Sequence, residues 1–407
     1  MLNNMHKLRQ LLIFIVGVSV PFNNVGFSML GRSWSLGLLA SALYLLSMLP
    51  ELSKTHSMFK YYGKFICTIL VFAILLTFIN MLNVNGYGTP VCPTTLFLCC
   101  FLFYVMLLHD KIDNGVLRIL MSGLAVGSIL MSIFFFLGIG IEIGEDSRLM
   151  MFGENSNALG IYMCLAWFII LSNWLISKRL RFKCLKIVII LCLIPITILL
   201  FATGSRVAFI SFVSAILIFL LFLKTRKILN KIIIWLFSLC AFSIIYGNML
   251  DSNSIMLERM TTTIEEGNTS GRDEIFNELW PHVIENIFHG VGQTGYVDIA
   301  KESIGKVSII GGITYGYSPH NVIVEILIYT GIWGLLLWLI FWSKCIKLSI
   351  CSFRKSYNIL PLLFLIPIFG CVLSAQILTS KWAYIIYAYI ITEGVRNKSS
   401  NKTMMPV

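Results

Sequence analysis

Long apolar runs recur from one end of this chain to the other, and they constrain its fold more than any other feature. A helix needs roughly 20 consecutive apolar residues to cross the hydrocarbon core of a bilayer. Charged residues make up only 12% of the chain, about half the share found in soluble domains. The sequence therefore predicts an all-α polytopic membrane protein with about twelve transmembrane helices, at approximately 8–26, 34–50, 64–82, 91–108, 116–140, 157–177, 184–203, 205–223, 231–249, 320–343, 357–378 and 380–394.

The apolar runs are continuous, which distinguishes them from the strands of a transmembrane barrel. Barrel strands alternate polar and apolar residues over about ten positions. No small-residue cleavage site follows the first run, so we expect it to remain in the protein as a helix.

Basic residues set the predicted orientation of the helices. Lys and Arg collect in cytoplasmic loops, and here they are concentrated in loops that fall on one side of the predicted topology, at 177–186, 224–231, 343–355 and 396–402. Both termini are therefore expected to be cytoplasmic. A solvated cytoplasmic face accounts for the net charge of +12, so we expect the lipid bilayer and no nucleic acid as a partner.

One loop is much longer than the others. Residues 249–319 hold ten of the nineteen acidic residues, and loops of this length are usually functional or disordered. The pattern at 272–288 is typical of an amphipathic helix, so we expect a folded periplasmic cap. The predicted organisation is helices 1–9 in 1–248, the large loop in 249–319, helices 10–12 in 320–394, and a cytoplasmic tail in 395–407.

Three arginines, Arg148, Arg206 and Arg272, stand out among the eight basic residues on the predicted outer side. Arg206 lies between two apolar runs with almost no loop, where it either snorkels to the headgroups or acts as an anion clamp. Arg148 follows two acidic residues that could simply pair with it, and Arg272 could pair with Glu265 or Glu266 elsewhere in the loop. Taken together, the three favour a ligand with several negative charges, such as a lipid pyrophosphate.

His320 stands at the end of the large loop, where the tenth span begins. It is either a structural histidine at a helix start, with Asn321 capping the span, or a proton acceptor. Glu325 lies inside the following apolar run, and an intramembrane carboxylate is a functional candidate by default. Glu325 could orient His320 or pair with an arginine.

Metal and nucleotide chemistry find little support in the sequence. His282 and His289 share the large loop with His320, yet neither an HExxH motif nor an Asp-x-Asp pair accompanies them. The segment GVGQTG at 290–295 lacks the lysine of a phosphate-binding P-loop. We therefore expect neither a metal site nor a cofactor.

Four segments, in this order, resemble those of the O-antigen polymerase and O-antigen ligase family of bacterial envelope proteins. The resemblance covers roughly 148–343, and the chain departs from it at Tyr329, where the family often has an acidic residue. The segments are RLMMFGENSNALG (148–160), TGSRVAF (203–209), SGRDEIFNELWPHVIENIFHGVGQTGY (270–296) and HNVIVEILIYTGIWGLLLWL (320–339).

The resemblance implies a GT-C-like fold in the bacterial inner membrane and a metal-independent, inverting glycosyl transfer at the periplasmic face. The donor would be an oligosaccharide on undecaprenyl pyrophosphate, and a chain-length regulator would be a possible protein partner. Arg206 and Arg272 would bind the pyrophosphate, and His320 would accept the proton of the acceptor hydroxyl. Arg148 joins them as a third substrate-binding arginine, with Asn157, Asn321 and Glu325 in support.

Two readings of the reaction compete within this family. A polymerase joins repeat units to one another, whereas a ligase transfers the finished glycan to lipid A–core. A chain rich in Ile, Phe, Asn and Lys favours a polymerase, because polymerase genes usually lie in AT-rich clusters. A flippase or transporter is a third reading, but it predicts charges along the spans and repeated halves; here the outer charges cluster beside one loop.

Overall fold

Helices dominate the protein. The computed structural model describes residues 2–29, 32–83, 91–144, 148–172, 183–222, 255–265, 271–305, 307–310, 313–374 and 377–399. Its helices are α1 (Leu2–Ser19), α2 (Leu36–Met48), α3 (Thr55–Leu82), α4 (Val91–Ile112), α5 (Val116–Phe136), α6 (Ser156–Ile169), α7 (Lys183–Ala202), α8 (Arg206–Phe222), α9 (Ile255–Glu265), α10 (Arg272–Glu285), α11 (Gly292–Ile299), α12 (Val322–Ser356), α13 (Leu360–Ser374) and α14 (Lys381–Ser399). Three antiparallel hairpins pair β1 (Gly26–Met29) with β2 (Arg32–Ser35), β3 (Ile141–Ile143) with β4 (Leu149–Met151), and β5 (Val307–Ile310) with β6 (Ile313–Gly316).

Every predicted span except 231–249 overlaps one of these helices, and 231–249 lies outside the described residues. The all-α membrane class is confirmed by four helical segments long and apolar enough to cross a bilayer. The count of twelve spans stays a prediction. The four segments are Leu36–Leu82, which joins α2 and α3, Cys92–Ile112, Val116–Phe136 and Val322–Ser356.

The helix α12 is longer than its predicted span. It continues to Ser356, past the predicted end at 343, because residues 344–356 contain neither glycine nor proline and sustain the helix beyond its apolar part. Inside α12 the backbone breaks at Gly331, with φ 63° and ψ −163°. This conformation is open to glycine and costly for other residues.

The chain divides into two compact units. The first consists of Met1–Ser47, Val116–Asn268 and Leu362–Gly370. Within it, α1 packs along α5 at close range, since a Cβ added at Gly123 would overlap the carbonyl oxygen of Phe14. A Cβ added at Gly127 would overlap that of Val18 in the same way. Small residues four positions apart let membrane helices approach closely, and they hold these two helices together.

The second unit consists of Met48–Gly115, Thr269–Pro361 and Cys371–Val407. Its centre is formed by α3, α4, α12 and α14. Arg396 of α14 bonds through Nη2 to Oδ2 of Asp110 at 2.9 Å, and through Nη1 to Oε1 of Glu393 at 2.6 Å. Both carboxylates are buried, and breaking a buried ion pair by removing one partner is strongly destabilising. The ion pair fixes the C-terminal end of α4 to α14.

Candidate functional site

Two of the four family-like segments meet in the first unit. Asn157, in the first turn of α6, accepts a hydrogen bond from Ser205, whose Oγ lies 2.8 Å from Asn157 Oδ1. Ser205 directly precedes Arg206, the first residue of α8. The Ser205 hydroxyl also accepts from the N–H of Ala208 at 3.3 Å, so Ser205 caps α8. Asn157 therefore holds the turn that presents Arg206.

Gly160 explains how closely α6 approaches this turn. A Cβ at Gly160 would lie 2.6 Å from Cβ of Ala208 and 3.0 Å from Oγ1 of Thr203. The absence of a side chain at Gly160 lets the start of α6 contact the turn between α7 and α8. The half-buried Arg206 therefore lies at the N-terminus of α8. An anion bound there would be stabilised both by the guanidinium charge and by the positive end of the helix dipole.

Arg148 lies at the start of the second strand of the β3–β4 hairpin, and its carbonyl accepts from the N–H of Gly144 at 2.9 Å. Its side chain is half-buried, and the acidic residues that the sequence offered as partners, 145 and 146, lie outside the described residues. Glu154 follows the hairpin and is buried; its Oε1 accepts from the N–H of Asn24 at 3.0 Å. Sequence reasoning had singled out Arg148 and missed Glu154.

The other two family-like segments meet in the second unit. The loop Gly290–Gly292 lies against the break in α12: the N–H of Val291 donates to the carbonyl of Ile328, and the N–H of Ile332 donates to the carbonyl of Ile287, both at 2.7 Å. In an unbroken helix Ile332 would donate to Ile328. Val291 of the loop and Ile287 of the turn before it thus bond to the carbonyl of Ile328 and the N–H of Ile332, which would bond to each other in an unbroken helix.

The helix α11 that follows this loop is buried and anchored from two sides. Oδ1 of Asn80, in α3, accepts from the N–H of Gln293 at 2.8 Å and of Thr294 at 3.3 Å. Oε1 of Gln293 in turn accepts from the N–H of Cys92 at 2.7 Å. Side chains from other elements therefore cap the first turns of α11 and α4.

His320 is held in a defined geometry at the start of α12. Its backbone has φ 49°, a left-handed conformation in which histidine is enriched among non-glycine residues. Its N–H donates to Oγ of Ser318 at 3.1 Å, and its ring lies edge-on to that of Tyr317, with centroids 5.7 Å apart. Asn321 is the N-cap of α12, since its Oδ1 accepts from the N–H of Ile323 at 2.9 Å and of Val324 at 3.3 Å.

Tyr296 of α11 contacts the residues that precede His320. Its hydroxyl donates to the carbonyl of Tyr317, and its ring fills the space beside Gly316, where a Cβ would lie 2.6 Å from Cδ1. Burial raises the pKa of the Tyr296 phenol, and the carboxylate of Glu325 raises it further. The phenol therefore remains protonated and acts as a hydrogen-bond donor rather than a base.

Glu325 lies in the first turn of α12 and is only 4% exposed. Among the described residues, no hydrogen-bond partner reaches its Oε2. A buried carboxyl without such a bond is costly, which fits the functional role that the sequence predicts for Glu325.

Arg272 is the first residue of α10, directly after Gly271 with φ 73°. Arg272 is half-buried. Arg206 and Arg272 therefore share one local arrangement, an arginine that opens a helix behind a small residue, and His320 likewise precedes a helix start.

The two other histidines of the large loop have ordinary contacts. His282 lies 2.8 Å through Nε2 from Oγ of Ser303, and His289 lies 3.1 Å through Nδ1 from the carbonyl of Gly290. In the described part of the chain, no group of three or more His, Cys, Asp or Glu residues could hold a metal ion.

Residues 190–339 match the family model described as O-antigen ligase. This match supports the similarity of the chain to the O-antigen polymerase and ligase family that the sequence motifs indicated. The comparison with curated proteins found no match. The match includes Arg206, Arg272 and His320, and it begins after Arg148 and Asn157.

Besides Glu154, the sequence analysis missed three residues that shape the site: Asn80, Gln293 and Tyr296. Asn80 carried a signal, because it is a lone amide inside the apolar run FAILLTFINML. The other two lie in a loop segment whose burial depends on contacts with α3 and α12, which the local pattern does not encode. The glycine motif 290–292 is explained by these contacts rather than by phosphate binding.

Proposed function

We propose that this chain is a polymerase of the O-antigen polymerase and ligase family. It joins repeat units carried on undecaprenyl pyrophosphate at the periplasmic face of the bacterial inner membrane, within a GT-C-like fold of about twelve spans. The observation that carries the proposal is that Arg206, Arg272 and His320 all lie in the matched segment and all stand at helix starts. Helix starts favour negative charge.

The proposed chemistry is an inverting glycosyl transfer without a metal. The acceptor hydroxyl attacks the anomeric carbon of the donor sugar, and the bond from that carbon to the pyrophosphate oxygen breaks. Negative charge builds on the leaving pyrophosphate, and preorganised guanidinium groups of Arg206 and Arg272 stabilise it. His320 takes the proton of the attacking hydroxyl and releases it to solvent.

The remaining candidates have supporting roles in this proposal. Arg148 is a third contact for the anionic donor. Asn157 positions Arg206 through Ser205, and Asn321 fixes the start of α12 next to His320. Glu325 is proposed as a supporting substrate-binding residue. A chain-length regulator is the proposed protein partner.

A ligase is the second candidate, because the matching family model is described by that activity. The two reactions differ in the acceptor, which is another repeat unit for a polymerase and lipid A–core for a ligase. The composition of the chain, rich in Ile, Phe, Asn and Lys, favours the polymerase.

Lipopolysaccharide gels of a strain that lacks the gene separate the two candidates. For a polymerase we expect lipid A–core with a single repeat unit. Core without any repeat unit, together with polymer on the lipid carrier, would identify a ligase.

The same strain tests the site when it is complemented with variants. We expect Arg206→Ala, Arg272→Ala and His320→Ala to abolish polymer while the protein stays in the membrane at a normal level. Lys301→Ala is the control, because it removes an exposed positive charge from the same loop. Near-normal polymer from all three variants would overturn the assignment.

A further inference from the structure

The helix α10 carries an apolar stripe on its exposed side. Phe276, Trp280 and Ile284 follow one another at intervals of four residues, and Phe288 continues the stripe in the turn after the helix. All four are exposed, Phe288 by 70%. The rings of Phe276 and Trp280 stack with centroids 5.2 Å apart. Such an aromatic stripe is unusual on a surface bathed in water.

The rest of α10 divides into two further sides. Leu279 and Val283 are fully buried against the second unit. Glu274, Glu278 and Glu285 are exposed and charged. At 100° per residue, the apolar stripe lies between the buried side and the charged side. A helix that lies on a membrane beside a protein needs this arrangement of three sides: one toward the protein, one toward lipid and one toward water.

The apolar stripe of α10 lies next to another exposed apolar surface, on α12. The turn after α10 is bonded to α12 at Ile332, and the backbone of Phe288 lies against Gly331. The next residue of α12, Trp333, is 57% exposed, and Leu336 and Ile340 continue the exposed apolar side of this spanning helix. The stripe therefore adjoins the exposed apolar side of α12, a helix long and apolar enough to cross a bilayer.

The depth of Ile332 in a bilayer follows from its distance along α12 from the first basic residue. Lys344 is the first basic residue of α12, twelve residues after Ile332, which corresponds to about 18 Å of helix. The hydrocarbon core is about 30 Å thick. If Lys344 marks the far boundary, then Ile332 and the neighbouring Phe288 lie inside the core, on the side where α12 begins.

We propose that α10 is an interfacial helix, seated in the lipid leaflet at the N-terminal end of α12 with Phe276, Trp280, Ile284 and Phe288 among the acyl chains. Trp and Phe are suited to this depth. Arg272 lies one turn before Phe276, so the lipid would hold its guanidinium at the level of the headgroups. The proposal concerns the location of a helix and does not depend on the proposed reaction.

Photo-crosslinking of the purified full-length chain tests the proposal in vesicles of phosphatidylethanolamine and phosphatidylglycerol. p-Benzoylphenylalanine is placed at Ile284 in one protein and at Glu278 in the other. Both positions are exposed on α10, one in the stripe and one on the charged side, so they form a matched pair. After irradiation, mass spectrometry of the α10 peptide reports what each position touches.

We expect phospholipid adducts at Ile284 to exceed those at Glu278 roughly tenfold. Placement at Phe288 exchanges one aromatic side chain for another and provides a second stripe position should the Ile284 protein fold poorly. Adducts to a second copy of the chain at either stripe position would show that protein covers the stripe. Equal lipid yields at stripe and charged positions would show that the stripe faces water, and either result would overturn the proposal.

Discussion

The N–H of Val291 bonds to the carbonyl of Ile328 at 2.7 Å, in place of the bond that Ile328 would receive within an unbroken helix. The exchange joins the Gly290–Gly292 loop to α12 at its break. Gly290 and Gly331 make it feasible: a Cβ at Gly290 would lie 2.7 Å from the carbonyl oxygen of Tyr329, and one at Gly331 would lie 2.7 Å from that of Ile287. Gly290 and Gly331, two glycines of the family-like segments, therefore both allow the close approach of the loop backbone to the backbone of α12.

Gly331→Ala is expected to destabilise the second unit. The new methyl group would meet the carbonyl of Ile287 and would also strain a backbone with φ 63°. We expect the free energy of unfolding to fall by about 2–4 kcal/mol, measured from thermal unfolding of the purified protein in detergent.

Gly305→Ala is the matched control for this prediction. Gly305 has φ 69° but no heavy atom within 4 Å of an added Cβ, so its substitution introduces strain without overlap. We expect a loss of only about 1–2 kcal/mol. Equal losses from the two variants would show that the contact with the loop contributes nothing.

The break at Gly331 is a feature of α12 that the sequence did not predict. Apolar runs predicted the helices well, because a membrane helix satisfies its own backbone groups and needs only length and composition. The pattern did not reveal the break, since YTGIWG reads as a continuous apolar helix. The link from Asn80 to Gln293 joins residues more than 200 positions apart, and such contacts leave no mark in a single local pattern.

The effects of substituting Asn157 and Ser205 are expected to be coupled, because the two side chains share one hydrogen bond. If their hydrogen bond positions Arg206, Asn157→Ala should lower the rate of glycan transfer about fivefold, the effect of about 1 kcal/mol. In a double-mutant cycle, Asn157→Ala should then add little to Ser205→Ala. Transfer rates in membranes, normalised to protein level, provide the measurement.

Asn155→Ala is the control for the cycle. Asn155 is the N-cap of α6 and accepts from the N–H of Asn157, so the substitution weakens the helix start without touching Ser205. Its effect should add to that of Ser205→Ala. An additive result for Asn157 as well would refute the coupling.

Lysine is not expected to substitute functionally for Arg206 or Arg272. Arg206→Lys and Arg272→Lys keep the positive charge but lose the planar fork that binds two phosphate oxygens at once. We expect each variant to lower transfer by roughly 100-fold, measured with purified protein and lipid-linked donor.

Arg259→Lys is the matched control for the lysine variants. Arg259 is a half-buried arginine of α9 in the same large loop and has no proposed role at the site. Its conservative exchange should leave the rate within about twofold. Equal losses at all three positions would point to a general need for arginine rather than to phosphate binding.

Tyr296→Phe removes the hydroxyl that bonds to the Tyr317 carbonyl and keeps the ring beside Gly316. We expect the segment before His320 to loosen, with transfer falling about fivefold and stability by about 1 kcal/mol. Tyr357→Phe, at an exposed position beyond α12, should change neither.

The pH dependence of stability, compared between the wild type and Tyr296→Phe, tests whether this hydroxyl is buried and protonated. The phenol has a raised pKa in the folded protein and an ordinary pKa of about 10 when unfolded. Its contribution is therefore fully present below about pH 10, and it declines by about 1.4 kcal/mol per pH unit above that value as the unfolded state loses its proton. The stability advantage of the wild type over Tyr296→Phe should be constant from pH 7 to 9 and shrink at higher pH, in unfolding curves recorded for both proteins. A difference that grows with alkaline pH would contradict the assignment of Tyr296 as a buried, protonated donor.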